Sequence, residues 1–234
     1  MGSPDAGANG GRSMNELDFL RSVDTPTVAN AIEVLKVRSR TEGFPSVDLR
    51  CLFPELGVMC GYAVTAQVET VSTGSALEEE RFVELFEAVE ASRKPAVVVM
   101  QEIGRNPGWA AHSGEVMSTI FTKVGAIGLV TDCAVRDLSA VRRLPFHYFA
   151  RGAVSSHAHF RIVRSNIPVE VLGMTVHPGA LLHGDENGIV TIPEEKRESL
   201  AAAIEQVLAS ERRLLDFVRQ DDFRASSLRG RFLH

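Results

Sequence analysis

Two continuously apolar runs, Ala96-Val97-Val98-Val99-Met100 and Gly125-Ala126-Ile127-Gly128-Leu129-Val130-Thr131, limit the fold of this chain more than anything else in it. Each lacks the alternation of a half-exposed strand and is short for a helix, so each reads as a strand buried on both faces. Between them the sequence predicts a helix from about Ser113 to Val124. A strand over Gly61 to Val71 and an amphipathic helix over Ala76 to Ala91 precede the pair, the helix placing Leu77, Phe82, Leu85, Phe86 and Val89 on one face. A strand over Phe146 to Arg151 follows it. Strands alternating with helices are the mark of parallel α/β layering.

The flanking segments extend this plan. Two short helices are expected at Asn15 to Val23 and Pro26 to Leu35, with Thr25 as the cap of the second and Pro26 at its first position, where a missing N–H costs nothing. Arg38 to Pro54 is loop-like. Short strands at 169–171, 174–176, 180–182 and 188–192, punctuated by Pro178-Gly179 and the turn Asp185-Glu186-Asn187-Gly188, suggest a compact antiparallel unit. Pro193 is placed to start a long helix with an apolar stripe of Leu200, Ile204, Val207, Leu208, Leu214, Leu215 and Val218. The expected organisation is a disordered arm at 1–13, a single domain at 14–220 and a mobile tail at 221–234.

Composition narrows the function classes. A net charge of −5 with no long basic block gives no footprint for generic nucleic-acid binding. No apolar run approaches the roughly 20 residues that span a bilayer. The three cysteines, Cys51, Cys60 and Cys133, are scattered and odd in number, which fits reduced thiols in a cytoplasmic setting better than a disulfide framework. For Cys133, buried packing is the default reading.

The chemistry concentrates in two places. Glu115 follows Ser113-Gly114 at the expected start of a helix, and Arg136-Asp137 comes after it with twenty residues between, just past the second buried strand. Open α/β sheets place ligand sites in loops beyond strand ends and at helix starts. There a carboxylate can hold a hard cation and a guanidinium can hold a carboxylate or enolate. Each residue also fits a purely structural part: Glu115 as an acid complementing a helix dipole, Asp137 as a cap, Arg136 as an ion-pair partner. The segment His157-x-His159 offers two imidazoles, short of the three or four ligands of a zinc site, and is expected to be a loop or interface pair.

These segments resemble the family that contains 4-hydroxy-4-methyl-2-oxoglutarate aldolases and regulators of ribonuclease E activity. The resemblance rests on Gly61-x-Ala63-x-Thr65, Gly114-Glu115-Val116-Met117, Asp132-x-x-Val135-Arg136-Asp137, Pro178-Gly179 and Gly184-Asp185-Glu186-Asn187-Gly188-Ile189-Val190-x-Ile192-Pro193, and runs from about Leu17 to Glu205. It implies a layered swivelling-type α/β/β/α fold with a central mixed sheet, flanking helices and a C-terminal helix, assembled as a homotrimer or hexamer. It implies Mg²⁺ or Mn²⁺ held by Asp137, Arg136 as the group facing the ketone oxygen, and Glu115 orienting a water that takes a hydroxyl proton. Gly114, Val116, Met117 and Arg136 would bind a small 2-oxo acid, the helix-start amides taking its carboxylate. Retro-aldol cleavage to pyruvate, with oxaloacetate decarboxylation through the same enolate, is the implied activity; non-catalytic inhibition of ribonuclease E or a similar partner is the alternative. The chain departs from the family in carrying Glu115 where Asp is usual, Cys133 where Gly is common, Asn30 where an acid is common, and Ala180 after Pro178-Gly179.

Overall fold

A computed structural model describes residues 15–71, 78–104 and 108–230. The expected arm at 1–13, the helix start at Ala76-Leu77, Pro107 and the last residues of the tail (231–234) lie outside the described residues. The elements in order are α1 (Glu16–Arg21), α2 (Thr25–Leu35), β1 (Arg50–Cys51), β2 (Met59–Val71), α3 (Glu79–Ala91), β3 (Ala96–Glu102), α4 (Glu115–Lys123), β4 (Ala126–Thr131), β5 (Ala134–Val135), α5 (Leu138–Val141), β6 (His147–Ala150), β7 (Gly152–Ala153), β8 (His159–Ser165), β9 (Val169–Val171), β10 (Met174–Val176), β11 (Leu181–Asp185), β12 (Gly188–Ile192) and α6 (Arg197–Val218).

The architecture is mixed α/β, as expected. An eight-stranded sheet runs β1-β6-β4-β3-β2-β11-β12, with β8 also paired to β2. Strands β2, β3, β4 and β6 are parallel neighbours. The 13-residue β2 serves two partners on one edge: its first half pairs antiparallel with β11 and its second half with β8. The apolar runs at 96–100 and 126–131 are indeed the central strands, with Val97, Val98, Val99, Met100, Leu129 and Val130 fully buried. Three apolar clusters cover the sheet. Helices α3 and α4 bring Phe82, Leu85, Val89 and Phe121 to one cluster. The β9–β10 hairpin brings Val169, Val171, Met174 and Val176 to another. Helices α1, α2 and α6 pack over β2, β11 and β12 through Leu20, Val28, Ile32, Leu200, Ile204 and Val207.

Several local expectations need correcting. Asp24, not Thr25, caps α2: its carboxylate accepts the Thr27 N–H at 2.7 Å, while the Thr25 N–H goes to Asp185 at 2.7 Å. Both are cap-type residues, and a long-range acceptor decided between them. Pro193 precedes a 3₁₀ turn at Glu194–Lys196, so α6 starts at Arg197. The apolar stripe of α6 is buried only through Val207; Leu208, Leu215 and Val218 are exposed where the helix outruns the sheet. The late strands are not a separate unit, because β11 continues the main sheet beside β2. Residues 159–165, read as no element, form β8, whose alternation buries Phe160 and Ile162 and exposes His159 and Arg161. Part of the expected tail holds a short turn at Ala225–Leu228.

One buried group in the sheet makes stability depend on pH. The His147 ring stacks near Phe149 with centroids 6.4 Å apart, and its Nδ1 has no hydrogen-bond partner among the described residues. Burial, helped by the charge of Arg21, pushes its pKa down from 6.5 to about 4. The folded chain therefore keeps the ring neutral while the unfolded chain takes up a proton. Stability is lost as pH falls from 6.5 towards 4. The gap corresponds to about 3 kcal/mol at most. Urea denaturation at pH 7 and pH 4.5 should show the native chain losing more stability on acidification than His147→Leu; equal losses would show that His147 is not responsible.

Candidate active site

Strands β3 and β4 are parallel neighbours, so the loops leaving their C-terminal ends meet. Backbone hydrogen bonds join the two loops: the His112 N–H donates to the Ala134 carbonyl at 2.9 Å, and the Arg136 N–H donates to the Ser113 carbonyl at 2.9 Å. This seats the Arg136-Asp137 turn on the residues that open α4. Asp137 has φ of 57°, a left-handed conformation that an Asp tolerates better than most residues. Its Oδ2 accepts the Glu115 N–H at 3.0 Å and lies 3.5 Å from Arg136 Nε.

The contact is close because position 114 has no side chain. A Cβ on Gly114 would overlap Asp137 Oδ2 and lie 3.0 Å from Arg136 Cγ and Nε. Gly114→Ala should therefore displace the Arg136-Asp137 pair. An activity loss of about 10-fold or more is expected from mispositioning alone, with far-ultraviolet circular dichroism unchanged; full activity would mean that the pair need not sit there.

Gly114, Met117 and Arg136 line one cleft of about 480 Å³. Its opposite wall is apolar, built by Phe82 and Phe86 of α3 with Phe160 of β8. The amides of Val116 and Met117 lie in the first turn of α4, where backbone donors have no intrahelical acceptor. Asp137 does not line the cleft but touches Arg136, which does, and its Oδ1 has no hydrogen bond among the described residues. The Val116 side chain is 72% exposed and does not line the cleft. Glu115 joins the cluster through its amide; its exposed carboxylate makes no ion pair with Arg136 among the described residues. His157 reaches the cleft rim, and His159 is exposed at the start of β8.

His112, which lines the cleft, belongs to a buried polar group that the sequence reading missed. His112 Nε2 is 2.8 Å from Glu102 Oε2, and Nδ1 is 2.9 Å from the Thr131 hydroxyl. Glu102 also accepts the Thr70 N–H at 2.9 Å, the Thr70 hydroxyl at 2.5 Å and the Gly104 N–H at 2.7 Å. The Cys133 thiol donates to the Ala110 carbonyl at 3.0 Å and accepts from the Gly108 N–H at 3.2 Å. Cys133 is fully buried, as the default reading has it, with its sulfur also hydrogen-bonded to backbone. Burial disfavours the His112 imidazolium, but the nearby Cys133 sulfur and the hydrogen bond to Glu102 outweigh it and raise the pKa to about 9. Burial likewise opposes the charged forms of Glu102 and Cys133, and His112 holds both below their ordinary values. Asp132, whose carboxylate accepts the Glu102 N–H at 2.7 Å, is pushed up to about 6 by burial. One signal was available in the sequence: an acid, Glu102, ending a fully apolar strand, and a histidine just before a helix start.

A mixed α/β sheet with its cleft at the C-terminal ends of the parallel strands places the chain in a known class. The fold is shared with an uncharacterized protein from Pseudomonas syringae pv. tomato, at TM-score 0.73 and 20% identity over 94% of this chain and 95% of that one. It is also shared with RraAS2 of Streptomyces coelicolor, described as an unusual member of the RNase ES inhibitor RraA protein family, at TM-score 0.66 and 20% identity over 84% and 93% of the two chains. The model of the RraA-like family, Aldolase/RraA, matches residues 25–191, and the chain belongs to that family. A relative in Halalkalibacterium halodurans named as a putative 4-hydroxy-4-methyl-2-oxoglutarate aldolase is 31% identical over 91 residues, which is 38% of this chain and 43% of the relative. That match spans less than half of the relative's length. Among the described residues, no helix is long and apolar enough to cross a membrane.

Proposed function

We propose that this chain is a divalent-metal-dependent lyase that cleaves a 4-hydroxy-2-oxo acid, of the 4-hydroxy-4-methyl-2-oxoglutarate type, to pyruvate, and decarboxylates oxaloacetate as a companion reaction. What supports the reading is that Gly114, Met117 and Arg136 line one cleft, with the Asp137 carboxylate 3.5 Å from Arg136 Nε and accepting the first amide of α4. Asp137 suits a hard cation, since it is accessible and its Oδ1 has no partner among the described residues; Mg²⁺ commonly takes only one or two protein carboxylates. When bound there, Mg²⁺ or Mn²⁺ would supply positive charge to the 2-oxo acid group.

The chain's own residues do the rest. The Val116 and Met117 N–H groups bind the substrate carboxylate at the positive end of α4. Arg136 donates to the ketone oxygen, where negative charge grows as the carbon–carbon bond breaks and pyruvate enolate forms. That interaction strengthens towards the transition state and so raises turnover. Glu115, acting through a water, takes the proton of the substrate hydroxyl. The site is expected to operate in the cytoplasm within a homotrimer or hexamer. A second reading, a protein-binding regulator of ribonuclease E or a similar partner, draws on the exposed Trp109 and Val116.

Metal-stripped protein should release pyruvate from 4-hydroxy-4-methyl-2-oxoglutarate or oxaloacetate only after Mg²⁺ or Mn²⁺ is restored. Asp137→Ala should lose the activity and its metal dependence together. Silence on a panel of 2-oxo acids, with tight binding to ribonuclease E, would replace this reading with the second one.

A further inference from the structure

We propose that Glu102, His112 and Cys133 form a buried site for a borderline transition-metal ion of the Zn²⁺ or Co²⁺ kind, separate from the hard-cation site assigned to Asp137. One oxygen, one nitrogen and one sulfur ligand atom lie within 4.8 Å of one another, and all three residues are buried. Thiolate and imidazole select zinc-like ions over Mg²⁺, which prefers oxygen ligands and keeps its waters.

The surroundings hold each ligand in place. Thr70 and Gly104 donate to the Glu102 carboxylate. The Thr131 hydroxyl occupies His112 Nδ1, which leaves Nε2 facing Glu102. The Gly108 N–H is directed at Cys133 Sγ. Outer partners of this kind fix ring orientation and ligand direction in metal sites. The donors come from three places in the chain: the end of β3, the loop before α4 and the loop between β4 and β5. Only the folded protein assembles them.

The Nε2 to Oε2 separation of 2.8 Å is a hydrogen-bond length. Metal–ligand bonds of about 2.0–2.3 Å set tetrahedral ligands further apart than that. The ion therefore replaces the proton shared by Glu102 and His112 and the proton of the Cys133 thiol, and both protons leave to solvent as it binds. Three protein ligands leave a fourth position for a small ligand. Because the site ties the two cleft loops together, an ion there braces Ser113 and Gly114 from behind.

The test is Co²⁺ titration of the chelator-treated, full-length protein, followed by absorbance. The proposal predicts a saturable sulfur-to-cobalt charge-transfer band in the near ultraviolet at one equivalent. Cys133→Ser, shown folded by circular dichroism, should lose the band and bind Zn²⁺ at least about 10-fold more weakly. Asp137→Ala should keep the band, which separates this site from the proposed catalytic one. No band in the native protein would overturn the proposal whatever the variants do. A band that survives Cys133→Ser and disappears with the half-buried Cys51 would overturn it as well.

Discussion

Arg136→Lys is expected to lower kcat/KM for pyruvate release by about two orders of magnitude while leaving the fold intact. The estimate follows the roughly 2–4 kcal/mol lost when one donor to a developing oxyanion is removed. Lysine keeps the charge, so long-range attraction of an anionic substrate survives. It loses the planar fork of donors, and an ammonium cannot present two N–H groups in the plane of a ketone and carboxylate. Stability should hardly change, because the Arg136 and Asp137 side chains are 37% and 41% exposed and a pair so open to solvent contributes little. The measurement is steady-state kinetics on metal-loaded protein, with urea denaturation as a control. Activity within a few-fold of native in a stably folded variant would remove Arg136 from the mechanism.

His112→Phe should produce the largest loss of stability, about 3–5 kcal/mol at neutral pH with a chelator present, because it leaves the Glu102 carboxylate buried without its cation. Phenylalanine fills most of the space beside Phe160, whose ring centroid lies 5.5 Å from that of His112, so the loss reports charge rather than a cavity. The pH dependence has a defined sign. The His112 pKa is raised from 6.5 to about 9, so its contribution is complete below 6.5 and disappears as pH rises through about 9. The Glu102 pKa is lowered, so its contribution is present above the ordinary carboxylate range and disappears on acidification. The stability gap between native and His112→Phe, read from urea midpoints, should be wide at pH 7 and narrow at pH 10. A gap that does not vary with pH would mean that the ring acts only by packing.

The legible part of the fold was the part that local sequence dictates. Continuous apolar runs could hardly be anything but central strands, and the helix between them followed from its period. β8 escaped because its two inward residues, Phe160 and Ile162, are set among His159, Arg161 and Arg164, so the segment looks polar until β2 supplies a partner. Strand β11 looked like half of a small hairpin because its second neighbour, β2, lies more than a hundred residues earlier in the chain. Register between distant strands is set by what they bury together, and no single segment records that.

The candidate site divides the same way. Gly114, Glu115 and Arg136-Asp137 stood out by their places at a helix start and a strand end, but spacing alone favoured structural parts for them, and only the family resemblance pointed to chemistry. Their contact could not: Asp137 Oδ2 meets the Glu115 amide rather than its side chain, and it can do so only because Gly114 leaves room. Glu102, His112 and Cys133 are ordinary residues in the sequence, each with a plausible dull role. By itself the sequence determined the central strands, most of the helices, the turns at Pro178-Gly179 and Asp185 to Gly188, and the family resemblance, because these depend on neighbours a few positions away. The tertiary structure alone decided which buried charges share a partner and which loops enclose the cleft. Those outcomes depend on parallel strands bringing their ends side by side, and chain entropy is overcome only when the whole sheet forms at once.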